Sequence, residues 1–451
     1  MSDTPLLPKS ARPVLRQRRA SFAGGLVARV RAAAGGAITG RGAPVSAVIK
    51  QAVPIWLVSR ALYLVLTYLA VLLTAGRTQP KVSFAPERLL MLWQRWDVNW
   101  YLSIAARGYS AGRPPQAAFF PLYPALTAGV NAAIGGSSNL LPAAMIVTSL
   151  GTLGACIGVG LLAVHEFGGS HTEGASERGN PIAAAAMRVM LAYPLALFLF
   201  AGYADSLLVA LCAFSLYFAR TGGWRWAALC AFAAGLTRPT AIILVLPLFY
   251  EYGRQREIWH LLFQRAQGVE RAGRLRPRIV GTWLLVSVAA PIAIGLYALY
   301  QWRLNGDPLL FAHLQASFWY RTFVPPWQLP ALAANAWSRA TAWGYAEARM
   351  LVDEVPLVVS IVLTGFMVRR MPLMYSLYML GVLFTSVLTP VVVNPIPLEA
   401  VGRYLLPSVP IYLLLGLWVS RRPWLDQLII GGGMALQAVL VVFFLTGGPL
   451  I

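Results

Sequence analysis

The strongest constraint on this chain is the recurrence of apolar runs such as "VPIWLVSRALYLVLTYLAVLLTA" (53–75) and "LPAAMIVTSLGTLGACIGVGLLAVH" (141–165). Each reaches the roughly 20 residues that a helix needs to cross the hydrocarbon core of a bilayer. With 58% hydrophobic and 12% charged residues over 451 positions, lipid rather than water is the main solvent. Further runs lie near 182–201, 203–220, 279–301, 351–368, 373–393, 404–420 and 425–446. The expectation is an all-α polytopic membrane protein with about nine crossings. Interfacial helices are expected in its first outer loop.

Charge supplies the orientation. The net charge of +21 would suit a nucleic-acid binder, but the arginines are spread over the N-terminal arm and the connecting loops rather than one compact domain. Retention of Lys and Arg on the cytoplasmic side explains the same distribution, so no nucleic-acid partner is expected. Residues 1–50 carry nine Lys or Arg against one Asp and no signal-peptide core; they read as a disordered cytoplasmic arm before a transmembrane domain over 51–451. Segments 77–140 and 302–350 then become the first and second outer loops, and the C-terminus lies outside. Cys156, Cys212 and Cys230 sit singly in apolar stretches, which suggests packing rather than a disulfide or metal framework.

One apolar stretch, 224–250, breaks this pattern. Arginine-rich segments bracket it on both sides, and "GLTRP" interrupts it. Pro239 disfavours helix for Arg238, so two half-helices that enter and leave on one side are expected. An arginine at membrane depth is tolerated only beside protein or a wet cavity. Two readings of Arg238 follow: it serves a site, or it satisfies the broken backbone.

The chain has 16 acidic residues, and by this topology only Glu87, Asp97, Asp205, Asp307, Glu347, Asp353, Glu354 and Glu399 reach the outer side. Asp97 stands apart from the rest. In "LWQRWDVNWYLSIAARGY" the residues Leu92, Trp93, Trp96, Trp100, Tyr101 and Ile104 recur at helical spacing. A helix lying in the headgroup plane would hold Asp97 where a lipid-linked substrate presents its head. The plain alternative is an ion pair with Arg95 or Arg107. In "FFPLYP", Pro121 and Pro124 stiffen the return to the bilayer.

"RWDVNWYLSIAARGY" followed by "AAFFPLYP" resembles the PIG-V type of mannosyltransferase, a family of the GT-C class. "GYADSLL" (202–208), "GLTRPTAII" (235–243) and "GRYLLPSVPIY" (402–412) are similar to its later elements, in the same order. The resemblance covers about 55 to 445 and implies a GT-C-like bundle that takes a sugar, mannose in the family, from a polyprenyl phosphate on the extracytoplasmic face of the plasma membrane. The acceptor would be a lipid-linked glycan, glycolipid or glycoprotein; the alanine- and arginine-rich style suggests a bacterial relative, for which the GPI anchor is not the acceptor. Membrane lipids are the remaining partners. Inverting transfer needs a general base at the acceptor hydroxyl and cations at the leaving phosphate. Asp97 suits the base, and Arg403, Arg238 or Arg321 the phosphate.

Around these the sequence leaves pairs of readings. Asp205, with Tyr203 beside it, either orients the acceptor or caps the helix that follows. Arg403 either binds donor or snorkels to headgroups. His313 either bonds a sugar or is incidental, and its neighbours Phe318, Trp319, Tyr320 and Trp327 cover a glycan or form an interfacial belt. Trp96 completes the candidate substrate-contacting set. The outer acids lack the clustered spacing of a carboxylate metal site, so neither metal nor cofactor is expected. A secondary transporter or flippase of a lipid-linked sugar is the competing class, since those folds also use broken helices.

Overall fold

The computed structural model describes residues 45–75, 84–168, 180–266, 276–339, 344–391 and 396–448; the basic arm before residue 45 lies outside them. The described residues are helical, with no strand and one isolated bridge, Arg321 to Val391. The first helix, α1, spans Val45–Ala75, so the arm expected over 1–50 ends sooner. Val48 and Ala52 are already buried, and burial of that face extends the helix back to Val45.

The first loop carries α2 (Pro86–Met91), α3 (Asp97–Arg107) and α4 (Leu122–Ala133). Next come α5 (Leu141–Phe167), α6 (Pro181–Leu191) and α7 (Asp205–Arg220). The broken stretch holds α8 (Trp224–Gly235) and α9 (Val245–Gln255), followed by α10 (Ile258–Ala266), α11 (Pro277–Ser287) and α12 (Ala289–Asn305). The second loop contains α13 (Leu310–Ser317) and α14 (Leu329–Ser338). The remainder is α15 (Tyr345–Arg370), α16 (Leu373–Val387), α17 (Val401–Tyr404), α18 (Val409–Val419), α19 (Pro423–Asp426) and α20 (Gly432–Leu445).

Among the described residues, four stretches are helical, long and apolar enough to cross a membrane: Val45–Leu73, Leu141–Phe167, Ala346–Arg370 and Pro423–Leu445. A fifth exists if α11 and α12, bent by 58°, count as one span. This is fewer than the nine expected. Proline accounts for the shortening of α6, α16 and α18, whereas α7 has none and ends ahead of Gly222 and Gly223. Pro194 stops the run at 182–201, leaving α6 with 11 residues before a 3-10 turn at Ala196–Leu199. Pro407 separates α17 from α18, and α16 ends before Pro390. Helices of 11 to 16 residues measure about 16 to 24 Å, short of the ~30 Å hydrocarbon core.

Small residues let α5 and α7 approach closely. A Cβ placed on Gly158 would lie 2.8 Å from the Ala213 Cβ, and one on Gly151 would lie 2.7 Å from Ser206 Oγ. Without a hydrophobic force between helices in lipid, such close backbone packing is what associates them.

The interrupted stretch folds as two arms. Arg238 is extended ahead of Pro239, a 3-10 turn spans Pro239–Leu244, and α9 then returns. The rings of Trp224 and Tyr252 are 4.8 Å apart, so the arms begin and end side by side, as their flanking arginines suggested. The break frees the Leu236 carbonyl, and the Leu122 N–H, free at the start of α4, bonds to it at 2.9 Å. Two orphaned backbone groups thereby satisfy each other.

Candidate functional site

Four charged side chains from four separate segments form one chain. Asp97 Oδ2 accepts from Arg403 Nη1 at 2.9 Å, Arg403 Nη2 donates to Asp205 Oδ2 at 3.0 Å, and Arg238 Nη2 donates to the same Asp205 oxygen at 2.9 Å. Both carboxylates belong to the first turn of a helix, α3 for Asp97 and α7 for Asp205, where unpaired backbone N–H groups favour negative charge. Asp205 does not cap α7: Ala204 stands at that position without a side-chain bond. Its Oδ2 serves both arginines instead.

The run around Asp97 is not one interfacial helix. The chain turns between α2 and α3, with Trp96 at φ +52°. Trp93 is consequently buried; its indole donates to Thr67 Oγ1 at 3.0 Å and packs on Tyr63 and Phe200. Trp96 stays 40% exposed. Arg95 donates to the carbonyls of Leu92 and Leu445, and Arg107 to Ser103 Oγ, so Asp97 pairs with neither of its local arginines.

Arg403 is 1% exposed, which corrects the expectation of an arginine snorkelling outward to headgroups. Its guanidinium lies 4.7 Å from the Phe198 ring centroid and 4.4 Å from that of Tyr203, an arrangement in which the ring faces attract the cation. Burial alone would lower its pKa, but Asp205 and Asp97 more than reverse this and hold it well above the ordinary arginine value. Tyr203 is fixed in turn by its hydroxyl, which donates to the Arg95 carbonyl at 3.3 Å. Phe198 carries no sequence signal beyond its place in an apolar run.

Exposure grades along the chain. The Asp97 side chain is 22% exposed, that of Arg238 14%, and those of Asp205 and Arg403 2% each. Arg238 and Asp205 also line a small recess with Thr240, Thr385 and Tyr404. On the neighbouring side of α16, an apolar groove of about 690 Å³ runs between α15 and α16 past Leu357, Ile361, Leu380 and Phe384.

Two candidates stand outside this chain. Arg321 is buried and donates to the carbonyls of Thr389 and Glu399, at 3.4 and 3.0 Å, with Tyr404 under its guanidinium. It ties down the loop ahead of α17. His313 pairs with Asp307 at 2.7 Å on the exposed second loop, and this hydrogen bond holds the Asp307 carboxyl below its ordinary value. Among the described residues, neither side chain bonds to the Asp97–Arg238 chain.

Among the described residues, positive φ at a residue other than glycine occurs at Trp96, Glu257, Tyr320 and Ala400. Trp96 precedes Asp97, Tyr320 precedes Arg321, and Ala400 lies three residues before Arg403. Such conformations persist where the surroundings over-determine them, often at functional sites.

No group of three His, Cys, Asp or Glu side chains fit to hold a metal occurs among the described residues. A second ionic cluster occupies the opposite end of α7. There Arg220 binds Glu166 at 2.6 Å and Glu251 at 2.8 Å, and the Tyr375 hydroxyl donates to Glu166. It joins α5, α7, α9 and α16. No protein-family model matches the chain, and no curated protein sequence matches it.

Proposed function

We propose that this protein is an integral membrane glycosyltransferase, an inverting enzyme that takes mannose from a polyprenyl phosphate on the extracytoplasmic face of the plasma membrane. The acceptor is a lipid-linked glycan, glycolipid or glycoprotein of the cell envelope. The observation that carries this reading is the partly exposed Asp97 carboxylate fixed at 2.9 Å by a buried Arg403. One Asp97 oxygen is engaged, and the other has no hydrogen-bond partner among the described residues.

In this scheme the acceptor hydroxyl gives its proton to Asp97 as its oxygen attacks the anomeric carbon. The bond from that carbon to the phosphate oxygen breaks, and polyprenyl phosphate leaves with the bonding pair. Arg238, which lines the recess and is more exposed than Arg403, is the cation that meets the growing negative charge. Arg403, already bound to two carboxylates, orients Asp97. Nine-fold crossing belongs to the same proposal: α6, α7, α16 and α18, joined to their broken extensions, would complete the GT-C-like bundle.

The test is reconstitution in vesicles with a panel of radiolabelled polyprenyl-phosphate sugars and envelope-lipid acceptors. Transfer that falls by at least about 100-fold in Asp97→Asn supports the reading, as expected for loss of a general base. Movement of the lipid-linked sugar between leaflets without transfer would replace it with the transporter class.

A further inference from the structure

The chain beside Arg403 is held by two side chains that the proposed chemistry does not use. The Gly402 N–H donates to Asp353 Oδ1 at 2.9 Å, and the Gly402 carbonyl accepts from the Tyr193 hydroxyl at 2.6 Å. Both backbone groups of one residue are thus gripped, from α15 on one side and from the segment after α6 on the other. Each grip is itself secured. Asp353 is fully buried and pairs with Arg349 one turn earlier at 3.0 Å. The Tyr193 carbonyl accepts from Gln437 of α20 at 2.8 Å.

The space where a side chain at Gly402 would sit is already filled. A Cβ there would lie 2.5 Å from Leu195 Cδ1, 3.0 Å from the Val352 carbonyl oxygen and 3.2 Å from Asp353 Oδ1. Two residues earlier, Ala400 is buried at φ +68°, a conformation that alanine does not hold unless its surroundings impose it. A four-residue helix such as α17 has little stability of its own. Its position must come from these contacts.

We propose that Asp353 and Tyr193 are positioning residues that set the register of α17, and through Gly402 aim the Arg403 guanidinium at Asp97 and Asp205. The proposal rests on the transferase reading for its catalytic consequence, though not for its structural one. Asp353 would hold the N–H side and Tyr193 the carbonyl side, so loss of either lets residue 403 swing while the ion pairs remain chemically available. Asp97 then spends less time in the reactive orientation. The substrate-contacting groups themselves are unchanged.

Two measurements separate these consequences. In Tyr193→Phe, which keeps the ring and removes only the hydroxyl, amide exchange at 402–404 read by mass spectrometry should quicken about tenfold, the equivalent of one hydrogen bond. Turnover per folded molecule should fall by about the same factor with donor KM near the wild-type value. Asp353→Ala should act alike. Asp353→Asn, whose side-chain oxygen still accepts from Gly402, should restore slow exchange and most of the turnover. Unchanged exchange in Tyr193→Phe overturns the proposal even if Asp353→Ala does not fold. Faster exchange with unaltered turnover also overturns it. A wild-type protein that transfers no sugar sinks the transferase reading alone, because the exchange result still decides whether α17 is clamped.

Discussion

Asp97 and Asp205 share Arg403 but differ in surroundings, and the difference predicts opposite phenotypes. Asp205 is 2% exposed and accepts from two arginines. Asp205→Ala would leave Arg238 without its carboxylate and Arg403 with only one. Breaking a buried ion pair from one side costs about 3–5 kcal/mol, because a desolvated charge remains. Asp97 is 22% exposed on its side chain and makes one bond, to Arg403 Nη1. Asp97→Asn keeps an oxygen to accept that bond and leaves Arg403 paired with Asp205, so the cost is about 1 kcal/mol. Urea unfolding in mild detergent, followed by tryptophan fluorescence and by transfer activity, checks both halves. Asp205→Ala should lose stability first and activity with it. Asp97→Asn should keep near wild-type stability while transfer falls by at least about 100-fold. Equal destabilisation by the two, or near-normal turnover in Asp97→Asn, would refute this division of labour.

Other tests address the frame. In a background without Cys156, Cys212 and Cys230, Trp224→Cys with Tyr252→Cys should cross-link through a short bifunctional reagent, because the two rings are 4.8 Å apart; absence of the link would mean that the arms do not return together. On the proposed orientation, Ser110→Cys should react with an impermeant thiol reagent from outside and Arg265→Cys should not, and the reverse pattern would invert the topology. Gly158→Leu should lower stability by about 1–3 kcal/mol in the same unfolding assay, as overpacking does, because a Cβ alone would already approach Ala213 to 2.8 Å. A neutral outcome there would show that α5 and α7 have room to separate.

The ionic chain was largely legible because its members carry charges that apolar surroundings make conspicuous. Asp97, Asp205, Arg238 and Arg403 each interrupt apolar sequence, and lipid tolerates such groups only in company. The hairpin was legible for a related reason: Pro239 fixes the break, and arginine marks both flanks. Three features were not readable. The spacing of Trp93, Trp96 and Trp100 fits a continuous helix, and nothing local announces that Trp96 adopts a left-handed backbone. Span lengths depend on where proline ends a helix inside a hydrophobic run, which hydropathy averages over. Asp353 reads locally as an i,i+4 partner of Arg349, whereas its bond to Gly402 joins residues 49 positions apart and exists only after folding. Arg403 failed in the opposite direction: its place at a span end suggested exposure, but Phe198 and Tyr203 close over it.

Charge balance gives the ionic chain its last physical meaning. Two carboxylates and two guanidiniums are neutral together, which keeps the cost of burying Asp205 and Arg403 bearable in a medium that cannot solvate isolated ions. On the proposed scheme, a proton passing from the acceptor hydroxyl to Asp97 removes one negative charge from the group. The chain becomes net positive by one unit, with Arg403 and Arg238 facing a single ionised carboxylate. At the same step the leaving phosphate gains negative charge, and Arg238 at the recess is placed to meet it. Proton uptake at one end of the chain and charge development at the other would then stabilise each other through the shared Asp205, where the two arginines meet on one oxygen. Arg238→Gln tests that linkage more sharply than removal of Arg403, because it leaves the Asp97–Arg403 pair intact. Transfer should fall by about 100-fold or more, the scale set by loss of one preorganised electrostatic group, whereas acceptor KM stays near wild type. A variant that transfers normally would disconnect the phosphate from this end of the chain.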